Sequence, residues 1–173
     1  KMTMSGLFLA LALLLPLLTM QNQQLGSALS LMHIPVLLCG FVCGWPYGLA
    51  VGFIAPPLRF LLFGMPPIFP MGTAMAFELA AYGAFAGLLY KYLPKKAVYV
   101  YPALILAMLG GRAVWGAAMA LLSLASAKVD FTFAAFLAGG FVKALPGIIL
   151  HIVLIPLLVI ALQKARLMAN EHQ

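Results

Sequence analysis

Long apolar runs, separated by short polar, proline-rich or glycine-rich turns, dominate the pattern of the chain. They predict helices over residues 3–20, 35–44, 47–63, 72–92, 97–123 and 134–165. Most of these runs approach the roughly 20 residues that a helix needs to cross the hydrocarbon core of a bilayer. The pattern therefore predicts an all-α membrane protein in which residues 1–173 form a single integral membrane domain, a six-transmembrane-helix bundle.

Prolines predict where these helices depart from regular geometry. We expect Pro16 to kink the first helix, Pro56 and Pro57 to interrupt the third, and Pro146 and Pro156 to bend the last. Each proline removes an amide donor from the helix. In a membrane such breaks are tolerated where other protein groups satisfy the freed carbonyls or where a cavity lies beside them.

Composition excludes several classes of protein. The chain is 65% hydrophobic and only 8% charged, whereas soluble domains carry about 25% charged residues. A soluble enzyme, a nucleic-acid-binding domain and a disulfide scaffold are excluded on this ground. We expect Cys39 and Cys43, which lie inside an apolar run, to be buried free thiols. The first apolar run is expected to be a retained helix and not a signal peptide, because no small-x-small cleavage site follows it.

Basic residues predict the orientation in the membrane. The net charge is +7, and most basic residues outside the helices fall on the side of the two termini. These residues are Lys1, Lys91, Lys95, Lys96, Lys164 and Arg166, against Lys128 alone in an opposite loop. The positive-inside rule therefore predicts a multi-pass membrane protein with both termini in the cytoplasm.

Four charged residues fall inside the apolar runs: Arg59, Glu78, Arg112 and Lys143. An unpaired charge in hydrocarbon costs at least about 2.5–3.5 kcal/mol, so such residues are candidates for function. A rise of about 1.5 Å per residue places Glu78, Lys143 and Arg112 roughly 9, 14 and 17 Å below the outer surface. Together they predict an outward-facing ligand pocket.

Helical spacing adds two residues to this predicted substrate-binding site, and position adds His33. Tyr82 lies four residues after Glu78 and Trp115 three residues after Arg112, so each shares a helix face with its charge. Both side chains offer a flat apolar surface with a polar tip, which suits a small amphipathic ligand. His33 stands at the outer edge.

Structural roles remain open for several of these residues. Glu78 could pair with Arg112 or Lys143 and lock the last three helices together instead of contacting a ligand. Arg59 could extend to the outer headgroups. His33 could cap or anchor the second helix.

No catalytic or metal-binding pattern stands out. The motifs G-x-S-x-G, H-E-x-x-H and G-x-x-x-x-G-K-[ST] are missing, so neither an enzyme nor a self-sufficient ATP-driven pump is expected. We expect His151 to form a hydrogen bond in the core, and Lys128 and Asp130 to lie in a solvated loop. Neither a metal site nor a bound cofactor is predicted in this chain.

Small residues at four-residue spacing allow helices to approach closely. Most such pairs are expected to pack inside the bundle. Gly6 and Ala10 on the first helix are the exception, because they offer a surface for a helix of another subunit.

Five short segments, in order, point to a known family. They are residues 32–40 (MHIPVLLCG), 44–52 (GWPYGLAVG), 64–67 (GMPP), 77–83 (FELAAYG) and 146–150 (PGIIL). In this order, and with six predicted helices, the chain resembles the substrate-binding S components of energy-coupling factor (ECF) transporters.

The resemblance implies high-affinity binding of a vitamin or related micronutrient for uptake across a prokaryotic cell membrane. It also implies two kinds of partner, a transmembrane T component and two ABC-type ATPases that consume the ATP. Family members dock the T component through an AxxxA pattern on the first helix, which is represented here by Gly6 and Ala10. The first alternative is a standalone secondary transporter or channel. An intramembrane enzyme is the second, and the sequence favours it less.

The charge of the predicted pocket bears on the ligand. Arg59, Arg112 and Lys143 outweigh Glu78. This excess mildly favours an anionic molecule such as pantothenate, with a stacked pyridine or pyrimidine or a larger corrinoid as alternatives.

Overall fold

The computed structural model describes residues 1–19, 22–64 and 67–168, and all regular structure in these ranges is helical. Its helices are α1 (Met2–Leu14), α2 (Gln23–Leu29), α3 (His33–Cys43), α4 (Trp45–Phe63), α5 (Thr73–Tyr92), α6 (Ala97–Ala125), α7 (Phe133–Leu137) and α8 (Leu145–Lys164). Parts of the predicted turns after the first and third helices, and the end of the chain beyond residue 168, lie outside the described residues.

Five helical segments are long and apolar enough to cross a membrane. They are Met2–Thr19, Trp45–Phe63, Ile68–Tyr92, Ala97–Ala125 and Leu145–Lys164. The helix at the position of the predicted second span, α3, has 11 residues, against the roughly 20 needed for a complete crossing. The chain is thus a multi-pass, all-helical membrane protein.

The bundle has an apolar outer surface. Large hydrophobic side chains such as Leu61, Leu124 and Val153 are 75%, 85% and 64% exposed. Several polar residues are instead buried, among them His33, Glu78, Arg112 and His151. This distribution suits a chain surrounded by lipid, because hydrocarbon tails solvate apolar side chains and cannot satisfy polar ones.

Glycines bring the central helices together. A Cβ atom added at Gly48 of α4 would lie 2.6 Å from the carbonyl oxygen of Gly83 of α5. Only glycine allows the two backbones to approach this closely. Every residue of α3 is buried beside them, so α3, α4 and α5 form the centre of the bundle.

The first helix changes character at a proline. The α-helix ends at Leu14 and continues as a tighter 3₁₀ turn over Leu15–Thr19, which contains Pro16. This change agrees with the kink predicted there. The polar stretch between the first and second predicted helices, expected as a turn, contains the short helix α2.

The effect of the paired prolines differs from the prediction. The helix α4 continues through Pro56 and Pro57 to Phe63. The prediction of an interrupted third helix is therefore wrong. Proline removes an amide donor, but its φ angle is compatible with a helix, so the loss is confined to individual hydrogen bonds.

The single last helix predicted over residues 134–165 is also wrong. The chain forms α7, then a wide π turn over Ala138–Val142, and begins α8 only at Leu145. Pro146 occupies the first turn of α8, where its missing N–H group has no consequence. Residues before a proline disfavour the helical conformation, which favours a new helix start at this point.

Candidate functional site

A cavity of about 450 Å³ opens at the end of the bundle where α3 begins and α4 ends. Its wall combines helix ends with the irregular segments around them. Six of the seven side chains proposed from the sequence line it, namely His33, Arg59, Glu78, Arg112, Trp115 and Lys143. Charged residues that are remote in sequence therefore come together around one space.

The centre of the wall is an ion pair between α5 and α6. Arg112 Nη1 lies 2.8 Å from Glu78 Oε1, and the Glu78 side chain is 2% exposed. The pairing considered from the sequence is therefore present, with Arg112 rather than Lys143 as the partner. Because both residues also line the cavity, joining the helices and contacting a ligand are compatible roles.

His33 extends this pair into a cluster of three side chains. Its ring Nδ1 lies 3.2 Å from the carbonyl oxygen of Ser30, and its Nε2 lies 3.5 Å from Glu78 Oε1. A carbonyl oxygen can only accept a hydrogen bond, so Nδ1 carries the proton in the first contact. His33 is also the first residue of α3, as expected for a residue that anchors this helix.

Two nitrogen atoms of this cluster are buried without a hydrogen-bond partner in the described part of the chain. They are His33 Nε2 and Arg112 Nε. An unsatisfied buried polar group costs about 1–3 kcal/mol, and more when it is charged. Convergent donors and acceptors of this kind beside a cavity are the features by which a site orients a small polar molecule.

His151 supports the cluster from α8. Its Nε2 lies 3.3 Å from the same Ser30 carbonyl oxygen, and its ring centroid lies 6.0 Å from that of His33. The predicted core hydrogen bond is therefore present. His151 does not line the cavity, so it positions the segment before α3.

Trp115 forms the flat apolar part of the wall. Its ring lies 6.0 Å from the guanidinium carbon of Arg112, stacks on Phe136 at 6.0 Å and meets Phe131 edge-on at 5.6 Å. These contacts hold the indole in one orientation beside the charged cluster. An aromatic face next to an ion pair suits a ligand with both a ring or chain and a polar group.

Tyr82, the seventh predicted residue, lies behind the wall. It is 2% exposed, and its ring meets that of His33 edge-on at 5.0 Å. It does not line the cavity. Helical spacing correctly places it on the face of Glu78, but one turn further along α5 this face is covered by α3 and α6.

Arg59 is not at the headgroups, the alternative considered from the sequence. It is 5% exposed, and Nη1 donates a hydrogen bond of 2.7 Å to the carbonyl oxygen of Leu13. In the 3₁₀ turn that follows α1, this carbonyl would be paired with residue 16, which is a proline without an N–H group. Arg59 supplies the missing donor.

The rim of the cavity carries two exposed charges, Lys143 and Asp130. The predicted depth of about 14 Å for Lys143 assumed a continuous last helix, and the break before α8 removes that assumption. Asp130 was expected in a solvated loop and has no sequence signal that links it to the site. The remaining wall residues missed by the sequence interpretation include four methionines: Met32, Met71, Met75 and Met119.

The described residues contain no group of three or more His, Cys, Asp or Glu side chains that could hold a metal ion. Cys39 and Cys43 are free and buried in α3, as predicted. The cavity wall offers a ligand charged groups, hydrogen-bonding groups and apolar contacts.

A family model described as "ECF transporter, substrate-specific component" matches residues 1–159. No curated protein and no solved structure matches the chain.

Proposed function

The chain belongs to the substrate-specific components of ECF transporters, and from this premise we propose that it captures a vitamin or related micronutrient outside the cell for uptake with high affinity. Members of this family are membrane subunits of transporters rather than enzymes.

The observation that carries the proposal is the composition of the cavity wall. A space of about 450 Å³ is within the usual range for small-molecule sites. One side presents the buried cluster of His33, Glu78 and Arg112 with its unpaired atoms, and another presents the Trp115 ring and the methionines. Such a wall fits a molecule of vitamin size with at least one polar group and an apolar body.

The positions of the basic residues support an outward-facing cavity. Lys91, Lys95 and Lys96 lie where α5 ends and α6 begins, and Lys164 ends α8. The cavity instead uses the beginning of α5 and the second half of α6. The basic end is therefore opposite the cavity, and the positive-inside rule assigns it, with both termini, to the cytoplasm.

The exposed face of α1 is the proposed docking surface for the T component. No atom of the described residues lies within 4 Å of a Cβ atom added at Gly6, and Ala10 is exposed on the same face. Small side chains allow a helix of another subunit to approach closely. In this arrangement the two partner ATPases supply the energy, and this chain needs no nucleotide site of its own.

Affinity purification from membranes of the native host tests this assembly. We expect the wild-type chain to retain a T component and two ATPases, and Ala10→Leu to lose them because the larger side chain separates the two helices. Ala120→Leu on the exposed face of α6 is the matched control and should retain all partners. Equal retention by both variants would move the docking surface away from α1.

The same preparation distinguishes the proposed function from its main alternative, a standalone secondary transporter. A standalone secondary transporter would be purified without partners and would move its solute into liposomes without ATP. That pair of results would contradict the proposed function.

A further inference from the structure

Arg59 and Arg112 both line the cavity, but their charges are balanced differently. Arg112 lies 2.8 Å from the carboxylate of Glu78. Arg59 has no carboxylate within ion-pair distance among the described residues, and its partners there are the Leu13 carbonyl oxygen and the face of Phe63 at 5.2 Å. Both of these partners are uncharged.

A buried charge without a counter-charge is expensive, even when hydrogen bonds satisfy some of its donors. Arg59 is 5% exposed, and its guanidinium group has five N–H donors. One of its nitrogen atoms donates to Leu13, and the side chain forms part of the cavity wall. Donors beyond this bond are therefore available to a molecule in the cavity.

The other charges of the wall do not change this balance. Glu78 is engaged by Arg112 and lies 3.5 Å from His33. At the rim, Lys143 and Asp130 are both exposed and have opposite signs, so solvent screens them and their sum is zero. The arginine and glutamate charges of the buried wall therefore sum to +1, and the excess charge is that of Arg59.

We propose that the substrate carries a single carboxylate group and that Arg59 is its counter-charge, while His33, Glu78 and Arg112 recognise an uncharged polar part of the same molecule. This inference rests on the proposed function and names the substrate class of that site. A monoanion matches the one excess charge, and the planar fork of arginine suits two parallel hydrogen bonds to a carboxylate.

Three pairs of vitamin-sized compounds test the inference: pantothenate with panthenol, nicotinate with nicotinamide, and biotin with biotinamide. The two members of each pair differ mainly in one group, which is a carboxylate in the first compound and is uncharged in the second. We expect at least one acid to raise the melting temperature of the detergent-purified wild-type chain by several degrees, and its neutral counterpart to raise it less or not at all. A neutral compound that stabilises the chain as strongly as its acid would overturn the inference and leave the proposed function intact.

Two substitutions at Arg59 connect this result to the residue. Arg59→Gln retains a donor for Leu13 without the charge, and we expect it to weaken acid binding about 10- to 100-fold. Arg59→Lys retains the charge without the fork, so its loss should be smaller. Unchanged affinity of Arg59→Gln for the acid would overturn the inference.

Melting of the ligand-free variants gives a second readout that needs no substrate. Arg59→Gln removes a charge that nothing in the described chain balances, so it should melt at or above the wild-type temperature. Arg112→Gln leaves the buried Glu78 carboxylate without a counter-charge, so this variant should melt below the wild-type temperature. If Arg59→Gln is destabilised as much as Arg112→Gln, the Arg59 charge is structural and the inference is wrong.

A different result would count against the proposed function itself. This result is no shift of the melting temperature with any of the six compounds, together with loss of the partner subunits in purification.

Discussion

The two ends of the bundle are built in opposite ways. In the packed half, which comprises residues 40–43, 45–52 and 83–92, regular helices touch through glycine, as at Gly48 and Gly83. The described part of the cavity half comprises residues 15–19, 22–33, 59–64, 67–78 and 112–143. It contains the 3₁₀ turn over Leu15–Thr19, the π turn over Ala138–Val142 and the short helices α2 and α7. The buried charges Arg59, Glu78 and Arg112 all lie in the cavity half.

This contrast shows how a small membrane protein can combine a stable bundle with a polar site. Irregular backbone at membrane depth is tolerated where it is buried in protein or lines a cavity. Here the irregular segments open a space that close helix packing would otherwise fill. The packed half holds the helices in place, so that the cavity half can carry unsatisfied polar atoms.

Separating the central ion pair should have the largest effect on the cavity half. We expect Arg112→Gln to lower the free energy of unfolding by about 3–5 kcal/mol, because it leaves Glu78 buried without a counter-charge. Thermal or denaturant unfolding in detergent measures this loss. The double variant Glu78→Gln/Arg112→Gln removes both charges and should recover most of the stability. A double variant as unstable as Arg112→Gln would show that the pair has no special role.

A single methyl group should disturb the packed half. Gly48→Ala places a Cβ atom 2.6 Å from the Gly83 carbonyl oxygen, and such overpacking costs about 1–3 kcal/mol. Gly6→Ala is the matched control, since its added Cβ atom has no neighbour within 4 Å in the part of the chain that the structure describes. It should stabilise α1 by up to about 1 kcal/mol through helix propensity. Equal effects of the two variants on the melting temperature would contradict the close packing of α4 and α5.

Removing the support behind the cavity should have a smaller effect. His151→Phe deletes the hydrogen bond to the Ser30 carbonyl oxygen, a loss of about 1 kcal/mol. We also expect faster hydrogen exchange in α2, because this bond holds the segment between α2 and α3 against α8. His151→Gln, which keeps a donor, should exchange more slowly than His151→Phe. Unchanged exchange in both variants would assign His151 to packing alone.

The smallest effect is expected at the rim. Lys143→Gln removes an exposed charge beside the cavity, so stability should change by less than about 0.5 kcal/mol. Association of an anionic ligand should slow and become less sensitive to salt, since rim charges act mainly on the rate of encounter. Lys128→Gln, exposed but outside the cavity wall, is the control. Identical association kinetics for both variants would remove Lys143 from the site.

The sequence allowed the charged residues of the cavity half to be predicted. Residues such as Glu78 and Arg112 are so costly in hydrocarbon that a folded chain must gather them inside the bundle. The bounds of α5, which begins at Thr73 and ends at Tyr92, lie within one residue of the prediction. Here a long apolar run is flanked by clear turn residues, and few other structures compete with a helix.

Details that depend on neighbouring helices could not be predicted. Periodicity places Tyr82 on the face of Glu78, but it does not show that α3 and α6 cover that part of the face. Arg59 lies near the end of its helix, where extension to the headgroups is a reasonable expectation. Its burial follows from the 3₁₀ turn at Pro16, a feature of a different helix, which leaves a carbonyl oxygen in need of a donor.

Native mass spectrometry of the chain purified from its host tests the central claim, that the cavity half binds the substrate, most directly. We predict a vitamin-sized adduct on the wild-type chain and its absence from the folded Glu78→Gln/Arg112→Gln double variant. Gly6→Ala, which changes neither half, should keep the adduct. An adduct of equal occupancy on wild type and double variant would contradict the account, because the ligand would then bind without the buried cluster on which the proposed site depends.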